Sequence, residues 1–103
     1  MSDYQLVRWE KEEKPNVAKL LQQMELEGYS VYQWSDRPGA IYSEHFHTNN
    51  QSHWIISGSL ELTIKNVGTF ILKAGDRDLM PAHTFHSARV VGEESVVYLI
   101  GEK

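Results

Sequence analysis

The stretch Gly39-Ala40-Ile41-Tyr42-Ser43-Glu44-His45-Phe46-His47-Thr48-Asn49-Asn50-Gln51-Ser52-His53-Trp54-Ile55-Ile56-Ser57-Gly58 carries three of the chain's five histidines. Arg37-Pro38-Gly39 reads as a turn, Ile41–His47 as a strand, Asn49-Asn50 as a loop and Ser52–Ile56 as a further strand. Alternate residues of a strand leave the same face. His45 and His47 are therefore expected to project together, and Gln51 to share a face with His53. Two adjacent imidazoles can hold one ion through a nitrogen each. Two partly exposed strand histidines are the alternative.

Downstream the punctuation continues. Ser57-Gly58 turns into Leu60–Ile64, where Leu60, Leu62 and Ile64 alternate with Glu61, Thr63 and Lys65, the pattern of one buried and one wet face. Phe70–Leu72, Asp78–Met80, Ser87–Val91 and Ser95–Ile100 follow, separated by Asn66-Val67-Gly68, Ala74-Gly75-Asp76 and Gly92-Glu93-Glu94. Upstream lies Tyr29–Ser35, aromatic and β-branched. Before it, Val17, Leu20, Leu21, Met24 and Leu26 recur at helical spacing between Pro15-Asn16 and Gly28, which predicts one short helix near residues 15–27. The first fourteen residues end in mixed charge and read as a solvated arm or an edge strand. About eight short strands with close turns predict an all-β antiparallel sandwich or small barrel. The expected division is an N-terminal arm and helix over residues 1–28, packed on a barrel over 29–103, within one domain.

Composition narrows the chemistry. With 103 residues the chain has room for one core. Ten basic against fourteen acidic residues give a net charge of -4, so the basic footprint of a nucleic-acid or anionic-membrane binder is missing. No cysteine is present, which removes disulfides, thiolate metal sites and cysteine nucleophiles. No run reaches the length of a spanning helix, and Met1–Glu10 lacks a signal-peptide core. A cytoplasmic location is the expectation. What remains for chemistry is carboxylates, hydroxyls, lysines and five histidines: His45, His47, His53, His83 and His86.

The spacing of these residues resembles the two motifs of the cupin superfamily. The first motif runs glycine, five residues, His-x-His, three or four residues, glutamate, six residues, glycine. It is matched by Gly39, His45-Phe46-His47, Gln51 and Gly58. The second runs glycine, five residues, Pro-x-Gly, two residues, histidine and three residues to an asparagine. It is matched by Gly75, Pro81-Ala82-His83, His86 and Val90. Three positions depart: Gln51 stands for the glutamate, His83 for the glycine and Val90 for the asparagine.

The resemblance implies a conical antiparallel β-barrel, also described as a double-stranded β-helix or jelly roll. It further implies one divalent transition metal ion (iron, manganese, nickel, zinc or copper) on His45, His47 and His86, with Gln51 as a fourth ligand. Gln51 as an amide that only positions a ligand is the alternative. His53 is a candidate further ligand, a proton-transfer residue or a lining residue. His83 is expected on the surface. Tyr42 and Phe46 are expected opposite the histidine face and Trp54 opposite His53, in sheet packing, while Tyr32 and Trp34 are candidates for a pocket wall. Arg37, Arg77 and Arg89 are expected as surface charges, and Asp76 and Asp78 as turn residues.

Family members with three-histidine sites include dioxygenases. The expected function is thus a metal-dependent enzyme, dioxygenase-like or an isomerase or lyase, acting on a small polar or anionic molecule. A non-catalytic small-molecule binding or sensing module is the alternative. A homodimer is the expected assembly, with Tyr4–Trp9 reaching a neighbour.

Overall fold

The computed structural model describes residues 3–103, so Met1 and Ser2 of the predicted arm lie outside the described residues. In chain order the elements are β1 (Gln5–Val7), α1 (Val17–Leu26), β2 (Ser30–Asp36), β3 (Ile41–His45), β4 (Gln51–Ser57), β5 (Ser59–Ile64), β6 (Gly68–Lys73), β7 (Arg77–Leu79), β8 (His86–Val91) and β9 (Val96–Glu102). Two antiparallel sheets face each other, in the orders β1-β7-β4-β9-β2 and β3-β8-β5-β6. Among the described residues this is the all-β architecture with one helix that the spacing predicts, in the jelly-roll form that the motif resemblance implies.

Between the sheets lies the main core, where Leu60, Leu62 and Ile64 of β5 meet Ile55, Leu72, Val90, Val96 and Ile100. Leu26, placed by its spacing on the apolar face of α1, is instead 82% exposed. The helix turns Leu20 and Met24 against Trp54, Leu99 and Tyr29 on the outer side of the five-stranded sheet. Asn16 caps it, its Oδ1 accepting from the Lys19 amide at 3.1 Å. Covered on both faces, β4 is buried at every position from Gln51 to Ile55, so it shows no wet face.

The mixed-charge arm supplies the strand that periodicity did not single out. β1 pairs with β7 of its own chain in the register Leu6↔Asp78. Tyr4 donates to Asp78 at 2.9 Å, and the Trp9 amide donates to Asp76 at 2.9 Å. Trp9 lies over Gly75, whose φ of +92° and lack of a side chain permit the contact.

Candidate metal centre and cavity

Two strand ends converge to make the site. His45 closes β3 and is paired directly with His86, which opens β8. Their ring centroids lie 4.2 Å apart. β3 stops at His45, short of the expected His47, so simple alternation does not bring these two histidines together. The loop beyond it does: the His47 carbonyl accepts from the His83 amide at 2.7 Å, and the His47 ring meets that of His45 at 4.9 Å. His45, His47 and His86 each offer a nitrogen, and the three nitrogens lie within 4.8 Å of one another.

The donor set suits a cation. Nδ1 of His45 donates to the Ser43 carbonyl at 2.6 Å, and Nδ1 of His86 to the Thr84 carbonyl at 2.8 Å. Because a carbonyl only accepts, both rings carry a proton on Nδ1, so the lone pair of the neutral ring lies on Nε2. Burial lowers the His86 pKa to about 4 against the support of the Thr84 carbonyl, with the neighbouring imidazoles pushing the same way. Burial and the charges of His45 and His53 also lower His47, opposed by Glu102. Near neutral pH these two rings are uncharged, the state in which imidazole can bind a metal.

From the opposite sheet, Gln51 and His53 line the same cavity of about 300 Å³. The amide of Gln51 donates to Glu102 at 3.1 Å, which leaves Oε1 free to accept or ligate and sets a carboxylate directly behind it. His53 is buried, and its Nδ1 lies 3.0 Å from Asp78 Oδ1. Burial works against its protonation, yet the charge of Asp78 and the hydrogen bond prevail and raise the pKa. Asp78 also accepts from Tyr4 and from the His53 amide. Asp78 is thus no turn residue: it sits at 0% exposure on β7, where it fixes the orientation of His53.

The structure corrects the expected position of Tyr42. Tyr42 pairs with Ala88 and His45 with His86, so β3 carries three steps where β8 carries two. That extra residue is a β-bulge, which turns Tyr42 onto the same face as His45 and into the cavity wall. Phe46 packs instead on Phe85 at 4.9 Å and beside the exposed ring of His83. Tyr32 and Trp34 line the cavity, while Trp54 packs against α1. Among the described residues no lysine or arginine lines it. Arg89 pairs with Glu61. Arg77, expected at the surface, is 5% exposed; it stacks on Trp54 and pairs with Glu27 because the helix covers that face. Asp76 binds Arg8 and the amides of Trp9 and Lys73.

A cupin-domain family profile matches residues 33–101, more than half of the chain. The chain belongs to the cupin family. Similar solved structures include DMSP lyase DddQ from Ruegeria pomeroyi DSS-3, at 20% identity and a TM-score of 0.67, covering 73% of this chain and 38% of that one. KdgF from a Halomonas species matches at 23% identity and TM-score 0.61, covering 73% and 70%. Oxalate decarboxylase of Bacillus subtilis, a protein described with Mn(II) centres, matches at 26% and 0.65, covering 73% and 21%. This cupin therefore spans well under half of the DddQ and oxalate decarboxylase chains. No curated protein sequence matches it. The similar cupins include enzymes, and the oxalate decarboxylase among them holds Mn(II) centres. Among the described residues no helix is long and apolar enough to cross a membrane.

The missed residues, Asp78 and Glu102, share one weak signal: each is a carboxylate on a strand rather than in a turn. Their partners His53, Tyr4 and Gln51 come from distant parts of the chain, and pairing at such separation leaves no local pattern.

Proposed function

We propose that this cupin holds one divalent transition metal ion on His45, His47 and His86, with Gln51 Oε1 as a fourth donor, and catalyses a reaction of a small molecule in the adjoining cavity. The observation that carries the reading is the convergence of three histidine nitrogens within 4.8 Å. A bound ion would supply Lewis-acid polarisation of a substrate oxygen. Glu102, behind Gln51, partly offsets the missing charge of the motif's glutamate.

Both an oxygenase and a redox-neutral lyase or isomerase suit a three-histidine site. The His53–Asp78 pair favours the second. Asp78 is a carboxylate and only accepts, so His53 donates from Nδ1 and keeps Nε2 as the nitrogen that takes or returns a proton. The ring of His53 stands 6.4 Å from that of His86, so the proton-transfer group sits next to the ligand cluster. Asp78 holds the tautomer, and Tyr4 holds Asp78.

The test is turnover of small hydroxy- and oxo-acids, with and without a cationic tail, by manganese- or iron-loaded protein, with and without dioxygen. Equal rates in both, with a loss of about 10²–10⁴-fold in His53→Gln, are expected. Turnover that consumes oxygen would assign the dioxygenase class instead. Tight ligand binding without consumption would assign a binding module.

A further inference from the structure

The reading of the cavity as a small-molecule site leaves one part of its wall unexplained. Along β9 the inward residues run Glu102, Ile100, Tyr98; Glu102 pairs with Gln51, while Tyr98 pairs with Trp34 of β2. Four residues of strand separate the two pairs, about 13 Å. At the Tyr98 end the cavity is walled by Tyr32, Trp34, Tyr42 and Tyr98.

One carboxylate ties three of these together. Asp36 Oδ1 accepts from the Tyr42 hydroxyl at 2.6 Å and from Trp34 Nε1 at 3.1 Å, and Oδ2 accepts from the Tyr98 hydroxyl at 2.9 Å. The three aromatics come from β2, β3 and β9, so Asp36 clamps both sheets at this end. Each phenol spends its proton on Asp36. What Tyr42 and Tyr98 retain for a ligand is ring and oxygen lone pair, with no donor. The rings of Tyr32 and Trp34 stand at 89° with centroids 6.4 Å apart, and both side chains are half exposed. Two walls meeting at a right angle offer a flat ligand only one face, whereas a tetrahedral group touches both. Aromatic faces are electronegative, Asp36 sets a carboxylate behind them, and among the described residues no lysine or arginine lines the cavity.

We infer that the Tyr32–Trp34 corner, with Tyr42 and Tyr98 and positioned by Asp36, binds a methylated onium cation carried by the tail of a small ligand. The oxygen-bearing head of that ligand would lie toward the histidines. The inference rests on the cavity being a ligand site but does not require the ion. A second anionic group at this end would meet Asp36 and be rejected, so the substrate is a zwitterion or a cation and not a dianion.

The experiment uses the full chain stripped of metal by a chelator at pH 8. Choline and its uncharged carbon isostere 3,3-dimethylbutan-1-ol are titrated by calorimetry and by proton NMR of the indole signals. Choline should bind at least about tenfold more tightly than the isostere. Trp34→Ala should erase the difference, and Trp34→Phe, which keeps a ring but no donor, should retain most of it. Asp36→Asn should weaken choline while leaving the isostere unchanged. Trp34 is half exposed, and dispersed NMR spectra check that the variants fold. Equal affinity for the two probes in the parent, or a preference that survives Trp34→Ala, overturns the inference. Metal retention is measured on separate samples, so loss of the choline preference and loss of the metal centre are told apart.

Discussion

His83 stands where the family motif has glycine, and its backbone keeps the conformation that glycine serves, with φ at +65°. Its amide is needed there, because it holds the His47 carbonyl at 2.7 Å. A left-handed residue with a Cβ is strained by about 1–2 kcal/mol, and β-branching makes it worse. His83→Gly should therefore be neutral or stabilising in urea denaturation, and His83→Val should cost about 1–2 kcal/mol. Gln51 is the other departure from the motif. Gln51→Glu would set a second carboxylate against Glu102, whose Oε1 lies 3.1 Å from the present amide. Like charges at that separation raise one carboxyl's pKa and destabilise the metal-free protein. Added zinc should raise the melting temperature of Gln51→Glu by more than that of the parent. An equal rise in both would place residue 51 away from the ion.

At the scale of elements, β2 to β9 and α1 were legible because their signals are local: period-two alternation in Leu60–Ile64, helical spacing from Val17 to Met24, and glycine-bearing turns between strands. The bulge in β3 was not legible. It has no residue signature in Tyr42-Ser43-Glu44-His45 and arises from pairing with β8, some forty residues away. The histidine cluster was nonetheless readable through motif spacing, although alternation alone gave the wrong reason for His47. The charged pair that fastens α1 was also hidden. Arg77 forms two hydrogen bonds with Glu27, at 3.0 and 2.9 Å, and these bonds hold the Glu27 carboxyl below its usual pKa. A lowered carboxylate pKa adds stability above the unfolded value near 4.5 that is lost as pH falls through the folded value. Below pH 4.5, Glu27→Gln should show a shallower loss of stability with acid than the parent, measured by urea midpoints across that range.

For the whole molecule, the arm, the helix and the barrel act as one body. Gly75 admits Trp9, Tyr4 reaches the buried Asp78, and Asp78 orients His53. Gly75→Ala forces a Cβ into the Trp9 ring and strains a left-handed turn, so it should cost more than about 2 kcal/mol in urea denaturation. Deleting residues 1–9 should lower the melting temperature and also slow any turnover that needs His53. Assembly is a separate matter, and we propose a homodimer, because a chain this small gains apolar burial by covering a face or an edge. Light scattering at micromolar concentration should report twice the monomer mass.

The metal content of protein purified without added metal, set beside the double variant His47→Ala/His86→Ala, tests the central claim most directly. One divalent ion per chain in the parent and a near-complete loss in the variant, with the barrel still folded by circular dichroism, is the predicted result. Full occupancy in the double variant, or a parent that retains no ion when offered manganese, iron or zinc, would contradict the account.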